Sequence, residues 1–150
     1  MYKRIAALIL TIATLKAQAQ TEADAVKATV NQLFEGMRKS DTALLKAAFT
    51  PQAILQTIAK PKAGGTQVRT DEVAAFIKSV GQPHAEVYDE RISFGQVLID
   101  GDMASVWTPY KFYVGEKFSH CGVNSFQLVK LEGKWKIQYL IDTRRREGCE

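Results

Sequence analysis

The sequence predicts an α+β fold in which helices pack on one face of a curved, antiparallel sheet. Up to about residue 80, apolar side chains recur at helical spacing between capping residues and Gly or Pro breaks. From Glu86 onward the chain is instead rich in β-branched and aromatic residues, separated by short Gly-containing turns. The sequence contains no internal repeat or linker, so we expect a single domain, residues 20–150.

Residues 1–19 have the composition of a secretory signal peptide. Lys3 and Arg4 are followed by an apolar run of about eleven residues, and Ala17-Gln18-Ala19 has the small-x-small pattern of a cleavage site. The apolar run is too short to span a bilayer. We expect cleavage after Ala19, export to the periplasm or the exterior, and a mature chain that is not held in the membrane. A retained anchor or a buried N-terminal helix is the alternative.

The charge balance of the mature chain argues against a nucleic-acid partner. The full chain has 20 Lys and Arg against 16 Asp and Glu. Cleavage removes Lys3, Arg4 and Lys16, which leaves 17 basic residues against the same 16 acidic ones. The basic run Arg144-Arg145-Arg146 lies beside Glu147 with no interleaved aromatic residues, so we interpret it as a solvated strand end.

Three helices are predicted in the first half of the chain. The first covers Thr21 to Arg38, and its buried stripe is Val26, Val30, Leu33, Phe34 and Met37. A second, shorter helix follows the cap at Ser40-Asp41 and ends before Pro51. A short strand, residues 53–58, and a loop, residues 60–67, lead to a third helix. This helix opens at Thr70-Asp71 and stops at Gly81 and Pro83.

Four extended segments are predicted in the second half. They turn at Asp100-Gly101-Asp102, at Gly115-Glu116 and at Glu132-Gly133. The segments cover residues 87–99, 103–114, 118–131 and 134–144. The result is an antiparallel meander.

The terminal hairpin indicates which side chains share a face. If Leu131 pairs with Lys134 across a two-residue turn, the more apolar face carries His120, Gly122, Asn124, Phe126 and Leu128, opposite Arg145, Thr143, Ile141, Tyr139 and Ile137. We expect the helices to cover this face, and Asp142 to lie on the other one. A β-bulge would shift the register by one residue and exchange the faces.

The far end of that face is the predicted ligand site. Apolar walls with a few convergent polar groups are typical of small-molecule pockets. We predict His120, Asn124 and Thr143 as the polar groups and Trp107, Tyr110, Phe126 and Tyr139 as the walls. Plain core packing is the alternative for each aromatic residue.

A catalytic set is not evident in the sequence. His120 titrates near neutral pH and is the candidate general base, but it needs an orienting partner, and the predicted pairing places Asp142 on the opposite face. We expect Asp142 to form an ion pair with Arg144 or Arg145. The acidic residues near strand ends and turns are expected to be solvated: Asp89, Glu90, Asp100 and Asp102.

The two cysteines are candidates for a disulfide. A bridge between Cys121 and Cys149 would close a loop of about 28 residues and contribute about 3–4 kcal/mol on the chain-entropy model. Free thiols are the alternative. The spacing matches no zinc site, and the sequence has no Gly-x-Ser-x-Gly, His-Glu-x-x-His or phosphate-binding loop, so we expect neither metal nor cofactor.

Three stretches carry a family resemblance. Residues 119–128 (SHCGVNSFQL), Trp135-Lys136-Ile137 and Asp142-Thr143-Arg144-Arg145 resemble the lumazine-binding branch of the nuclear transport factor 2-like superfamily. The first helix and the turn at Ile99–Asp102 also fit that superfamily. The resemblance implies a cone whose mouth opens between helices and curved sheet, and often dimerisation through the sheet. The superfamily includes isomerases, cyclases, dehydratases and non-catalytic binding modules, and the fold does not choose among them.

These observations lead to one expected function and two alternatives. We expect an exported, homodimeric module that binds a small apolar or cyclic ligand. The first alternative is an isomerase, cyclase or dehydratase-like enzyme, which would need a carboxylate on the cavity face and a tyrosine or acid donor inside. The second is a structural or interaction domain whose pocket is filled core.

Overall fold

The computed structural model describes residues 2–61 and 64–149, and it describes side chains in the first helix from residue 21 onward. The side chains of the predicted signal peptide, residues 1–19, lie outside this description, so the signal peptide stays a prediction. Within the described part of the chain, no helix combines the length and apolar character needed to cross a membrane.

Three helices form as predicted, with shifted ends: α1 (Tyr2–Lys39), α2 (Thr42–Ala48) and α3 (Val73–Val80). The predicted stripe of α1 is buried, from Val26 and Val30 at 0% exposure to Met37 at 8%. Asp41 caps α2, since its Oδ1 accepts the N–H groups of Ala43 and Leu44 at 2.9 and 3.0 Å. The first helix therefore buries the stripe that the periodicity selects, and the second begins at its predicted cap.

The region between α2 and α3 differs from the prediction. Strand β1 (Phe49–Ala59) begins directly after α2 and includes Pro51, so this proline does not end the helix. Residues Gln67–Asp71 form strand β2, which pairs antiparallel with β1. Thr70-Asp71 therefore end a strand, and Glu72 is the N-cap of α3. Strand β2 lies at the edge of the sheet and is almost fully exposed, so it lacks the apolar alternation that indicates a strand.

The second half forms five strands, because the predicted strand 87–99 is interrupted at residues 93–95. The strands are β3 (Tyr88–Ile92), β4 (Gln96–Asp100), β5 (Met103–Val114), β6 (Lys117–Leu131) and β7 (Lys134–Thr143). Strands β4 and β3 pair with successive halves of β5. The order along the sheet is β2-β1-β7-β6-β5-β3, and all pairs are antiparallel except β1 with β7.

The helices cover one face of this sheet, which we call the inner face; the opposite face is the outer face. On the inner face, Phe34 of α1 meets Phe126 of β6 edge to face, with ring centroids 6.2 Å apart. Glu22 of α1 accepts hydrogen bonds from Lys130 Nζ at 2.7 Å and Trp135 Nε1 at 3.0 Å. The α+β prediction, a cone-shaped sheet with helices on its concave face, is confirmed.

Candidate functional site

A β-bulge in the terminal hairpin determines which side chains reach the inner face. The pairing begins with the predicted register, Leu131 with Lys134, and keeps it to Leu128 with Ile137. One extra residue then enters β7, so Gln127 pairs with Tyr139 and Asn124 pairs with Asp142. Beyond the bulge, the inner face carries the residues of β7 that the predicted register places outside.

The structure divides the seven predicted ligand-site residues between the two faces of the sheet. His120, Asn124, Tyr110 and Phe126 lie on the inner face, with Phe126 fully buried in the core against Phe34. The ligand-binding role of these four stays a prediction.

The other three lie outside, Tyr139 and Thr143 because of the bulge and Trp107 because of the alternation of β5. Tyr139 lies on the outer face beside its strand partner Ile54, which is 46% exposed. Thr143 also lies on that face, where its hydroxyl accepts the N–H of Val123. Trp107 is 49% exposed because it alternates with the buried Val106 and Thr108. None of the three lines the cavity between sheet and helices.

That cavity opens between α1, α3 and the wide end of the sheet. Its inner part has a volume of about 100 Å³, with apolar walls that include Leu33, Leu55 and Leu140. Its outer part, about 410 Å³, includes Tyr88, Phe112 and His120. The two parts adjoin, since they share five lining residues: Met37, Asp71, Phe76, Glu90 and Arg144. We call the whole space the inner cavity.

Glu90 lies where the two parts of the inner cavity meet. Its Oε1 accepts a hydrogen bond of 2.8 Å from Asn124 Nδ2. Burial raises the pKa of Glu90 to about 7, and the negative charge of Asp142 adds to the rise. The expectation that Glu90 is solvated is therefore wrong. The sequence gives no signal for this position. The pairing of β3 with β5 places Glu90 opposite Phe112, and the interruption after Ile92 conceals that pairing.

Asp142 is the centre of a second set of polar contacts. The Tyr110 hydroxyl lies 3.1 Å from Asp142 Oδ2 and 2.9 Å from the Thr143 carbonyl oxygen, and it donates toward both. Arg144 Nε donates to the same Oδ2 at 2.9 Å, and its Nη2 donates to Thr57 Oγ1 at 3.3 Å. The predicted ion pair of Asp142 with Arg144 is present, and both residues line the inner cavity. Burial raises the pKa of Tyr110, so the phenol stays protonated.

Gly122 makes this arrangement possible. A Cβ atom at this position would lie 1.8 Å from the Thr143 carbonyl oxygen and 2.8 Å from the Tyr110 ring. Both are shorter than any van der Waals contact. Only a glycine therefore lets Tyr110 cross β6 and reach Asp142.

His120 lies at the mouth of the inner cavity. Its ring packs against Phe112 at 5.0 Å and against the edge of Tyr110 at 5.7 Å, and its Nδ1 lies 3.0 Å from Ser119 Oγ. Burial lowers the pKa of His120, and the positive charge of Arg144 lowers it further. The ring is thus neutral at pH 7 and can offer its nitrogen to a ligand.

The C-terminal tail holds Arg144 at the cavity. Cys121 and Cys149 form the predicted disulfide. Arg145 also exchanges two backbone hydrogen bonds with Cys121, at 2.8 and 2.9 Å. No group of three His, Cys, Asp or Glu side chains among the described residues is arranged to hold a metal ion.

Comparison with known proteins places the chain in a family. The family model described as "Putative lumazine-binding" matches residues 21–139, and the chain belongs to this family. No curated protein matches the sequence.

Several solved structures share the fold. An NTF2-like protein with a cystatin-like fold from Novosphingobium aromaticivorans has a TM-score of 0.72 at 11% identity, covering 93% of this chain and 91% of the other. An NTF2-like protein of unknown function from Silicibacter pomeroyi has a TM-score of 0.68 at 19% identity, covering 85% and 98%. A ketosteroid isomerase-like protein from Erwinia carotovora has a TM-score of 0.62 at 18% identity, covering 82% and 95%. At these identities the likeness concerns the fold alone, and it confirms the predicted nuclear transport factor 2-like architecture.

Proposed function

We propose that the inner cavity binds a small, largely apolar molecule that carries a hydroxyl or carbonyl group. The main support for this proposal is that four polar side chains converge in the inner part of a space whose other walls are mostly apolar: Glu90, Asn124, Asp142 and Arg144. Its two parts, about 100 and 410 Å³, are large enough for a molecule of one or two rings. The family name also favours a small cyclic ligand.

The same side-chain change on the two faces of the sheet tests this assignment. Tyr110→Phe removes the hydroxyl that positions Asp142, a lining residue of the inner cavity, and Tyr139→Phe removes a hydroxyl on the outer face that donates to Gln56. Ligands are found by ligand-observed NMR with lumazine and a set of one- and two-ring ketones and alcohols. For the tightest of these we expect Tyr110→Phe to weaken binding about tenfold and Tyr139→Phe to leave the Kd unchanged. Equal effects of the two changes, or no binding by the whole set, would contradict the proposal.

A second candidate function is proton transfer, as in an isomerase or dehydratase. Two features favour it: burial raises the pKa of Glu90 to about 7, and the carboxylate of Asp142 lies within hydrogen-bonding distance of Tyr110. In this scheme the ionised Glu90 removes a proton from a carbon next to a carbonyl group. Arg144 and the neutral ring of His120 donate to the oxygen as it gains negative charge.

The pH dependence distinguishes this enzyme from a binding module. Because the base must be ionised, kcat/KM should rise with pH and level off above about 7. Glu90→Gln should abolish turnover and keep ligand binding within a few-fold. Turnover that persists in Glu90→Gln would exclude Glu90 as the base.

Export and dimerisation complete the proposal. The disulfide supports folding in an oxidising compartment, as expected after removal of residues 1–19. Exposed apolar side chains on the outer face support a homodimer formed through the sheet: Ile54, Leu98, Met103 and Trp107. N-terminal sequencing of the exported protein should begin at Gln20. Light scattering should give twice the chain mass, falling to the single-chain mass in Trp107→Lys.

A further inference from the structure

A second pocket, of about 490 Å³, opens on the other side of the sheet. Three of its lining residues are basic, namely Arg91 of β3, Lys111 of β5 and Arg145 of the tail. No Asp or Glu is among the described residues that line it. We call it the outer basic pocket.

The sheet register places these three cations in one row. Arg91 pairs with Lys111, Lys111 pairs with Cys121, and Cys121 forms a bridge with Arg145. Like charges on directly opposed strand positions destabilise a sheet. The row therefore has an energetic cost that an anion bound beside Lys111 would reduce.

Neighbouring acids compensate only one of the three charges. Arg91 Nε donates to Asp89 Oδ2 at 2.7 Å, its guanidinium lies 4.1 Å from the centre of the Tyr113 ring, and the charge of Glu116 also acts on it. Lys111 is partly buried, yet its ammonium group has neither a hydrogen bond nor an ion pair within the described ranges. Arg145 reaches the neutral carbonyl oxygen of Gly148, at 3.4 Å from both Nε and Nη2. Among the residues that the structure describes, no acid therefore pairs with Lys111 or Arg145.

We propose that the outer basic pocket binds a small oxyanion with two negative charges, of the phosphate class. Arg145 offers the planar fork of donors that suits an oxyanion, and Lys111 supplies a point charge from the facing strand. The site is separate from the inner cavity, because consecutive residues of the extended tail serve opposite faces: Arg144 lines the inner cavity and Arg145 the outer basic pocket.

Calorimetric titration of the disulfide-bonded chain with inorganic phosphate tests the proposal, with ionic strength held constant by NaCl. We expect one phosphate per chain. Lys111→Ala and Arg145→Ala should each weaken it about tenfold, as expected for the loss of a charge-assisted hydrogen bond. Lys134→Ala is the matched control, because it removes the same charge from the exposed β6–β7 turn. Circular dichroism verifies that each variant is folded.

Two further arms sharpen the test. Cys149→Ser removes the bond that ties the tail to β6, so it should weaken phosphate binding as much as Arg145→Ala does. Glycerol phosphate distinguishes the source of the anion: weaker binding than inorganic phosphate assigns the pocket to the free ion, and equal or tighter binding assigns it to a phosphate ester. No binding by the wild-type chain would overturn the proposal. An equal loss in Lys134→Ala and Lys111→Ala would do so as well, since net charge alone would then explain the effect.

Discussion

Strands β6 and β7 form both ends of the inner face, and the two ends have opposite chemistry. At the narrow end, before the bulge, Leu128 and Ile137 face each other at 0% exposure beneath α1. At the wide end, beyond the bulge, the facing pair is Asn124 and Asp142. The same two strands thus supply a dry core and a polar cavity. The change takes place within a few residues, where one inserted residue exchanges the side-chain directions of β7.

The difference separates stability from function. Apolar burial at the narrow end stabilises the fold. The wide end instead holds a carboxyl group whose pKa is raised by burial, which lowers stability when the group is ionised. We expect equivalent changes at the two ends to have different consequences, and the following four predictions test this.

The largest effect is expected from Leu128→Asn. This change introduces at the narrow, apolar end the same type of side chain that Asn124 supplies at the polar end. The fully buried amide would have no partner, and the apolar contacts would be lost, so the free energy of unfolding should fall by about 3–5 kcal/mol in a urea titration. The converse change, Asn124→Leu, should cost less than half as much at pH 5, where Glu90 is protonated. Similar losses for both would show that the two ends do not differ.

Cys149→Ser is expected to have the next largest effect. The disulfide joins residues 28 positions apart, and a closed loop of that length contributes about 3–4 kcal/mol on the chain-entropy model. Urea denaturation should show this loss for the oxidised protein. With a reducing agent present, wild type and variant should unfold at the same urea concentration. Binding in the inner cavity should also weaken, because Arg144 lies on the released tail.

Glu90→Gln should change the pH dependence of stability. The pKa of Glu90 rises from its ordinary value of 4.5 to about 7 on folding, so the folded chain holds this proton more tightly than the unfolded chain. The resulting contribution to stability is fully present below about pH 4.5 and is lost as the pH rises to 7. The variant lacks this loss. Its free energy of unfolding should exceed that of wild type by up to about 3 kcal/mol at pH 8 and by little at pH 4. A pH-independent difference would contradict the raised pKa.

The smallest effect is expected from Trp135→Phe at the narrow end. It removes the hydrogen bond from Nε1 to Glu22 and should cost about 1 kcal/mol of unfolding free energy. The hydrogen bonds from Lys130 and Trp135 lower the pKa of Glu22, so the cost should shrink at low pH as that carboxylate is protonated. Ligand binding at the wide end should be unaffected.

The sequence predicts the helices and the hairpin turn because their signals are local. The stripe of α1, the Asp41 cap and the Leu131–Lys134 pairing all depend on residues close in the chain. Four of the seven predicted site residues lie on the inner face for the same reason, since β5 and β6 keep regular alternation through those positions.

The rest depends on features without a local signal. Nothing about Gln138 marks it as the inserted residue of a bulge, yet that insertion moves Asp142 inward and Tyr139 and Thr143 outward. Glu90 becomes part of the site because β3 pairs with β5, about 22 residues further along the chain. Strand β2 is polar and exposed, so its own sequence does not mark it as a strand, and it is recognised only by its pairing with β1.

The parallel pairing of β1 with β7 has a consequence for synthesis of the protein. Strand β1 joins the rest of the sheet through β7, whose residues are about 85 positions later, and β2 is attached only through β1. Contacts between such distant positions form late, because the intervening chain must first be ordered. A ribosome-bound chain therefore has no complete sheet until its final strand has emerged. Any product that stops before β7 would leave the side of β1 that faces β7 unpaired, so the β1–β2 pair would be separated from the rest of the sheet and open to proteases.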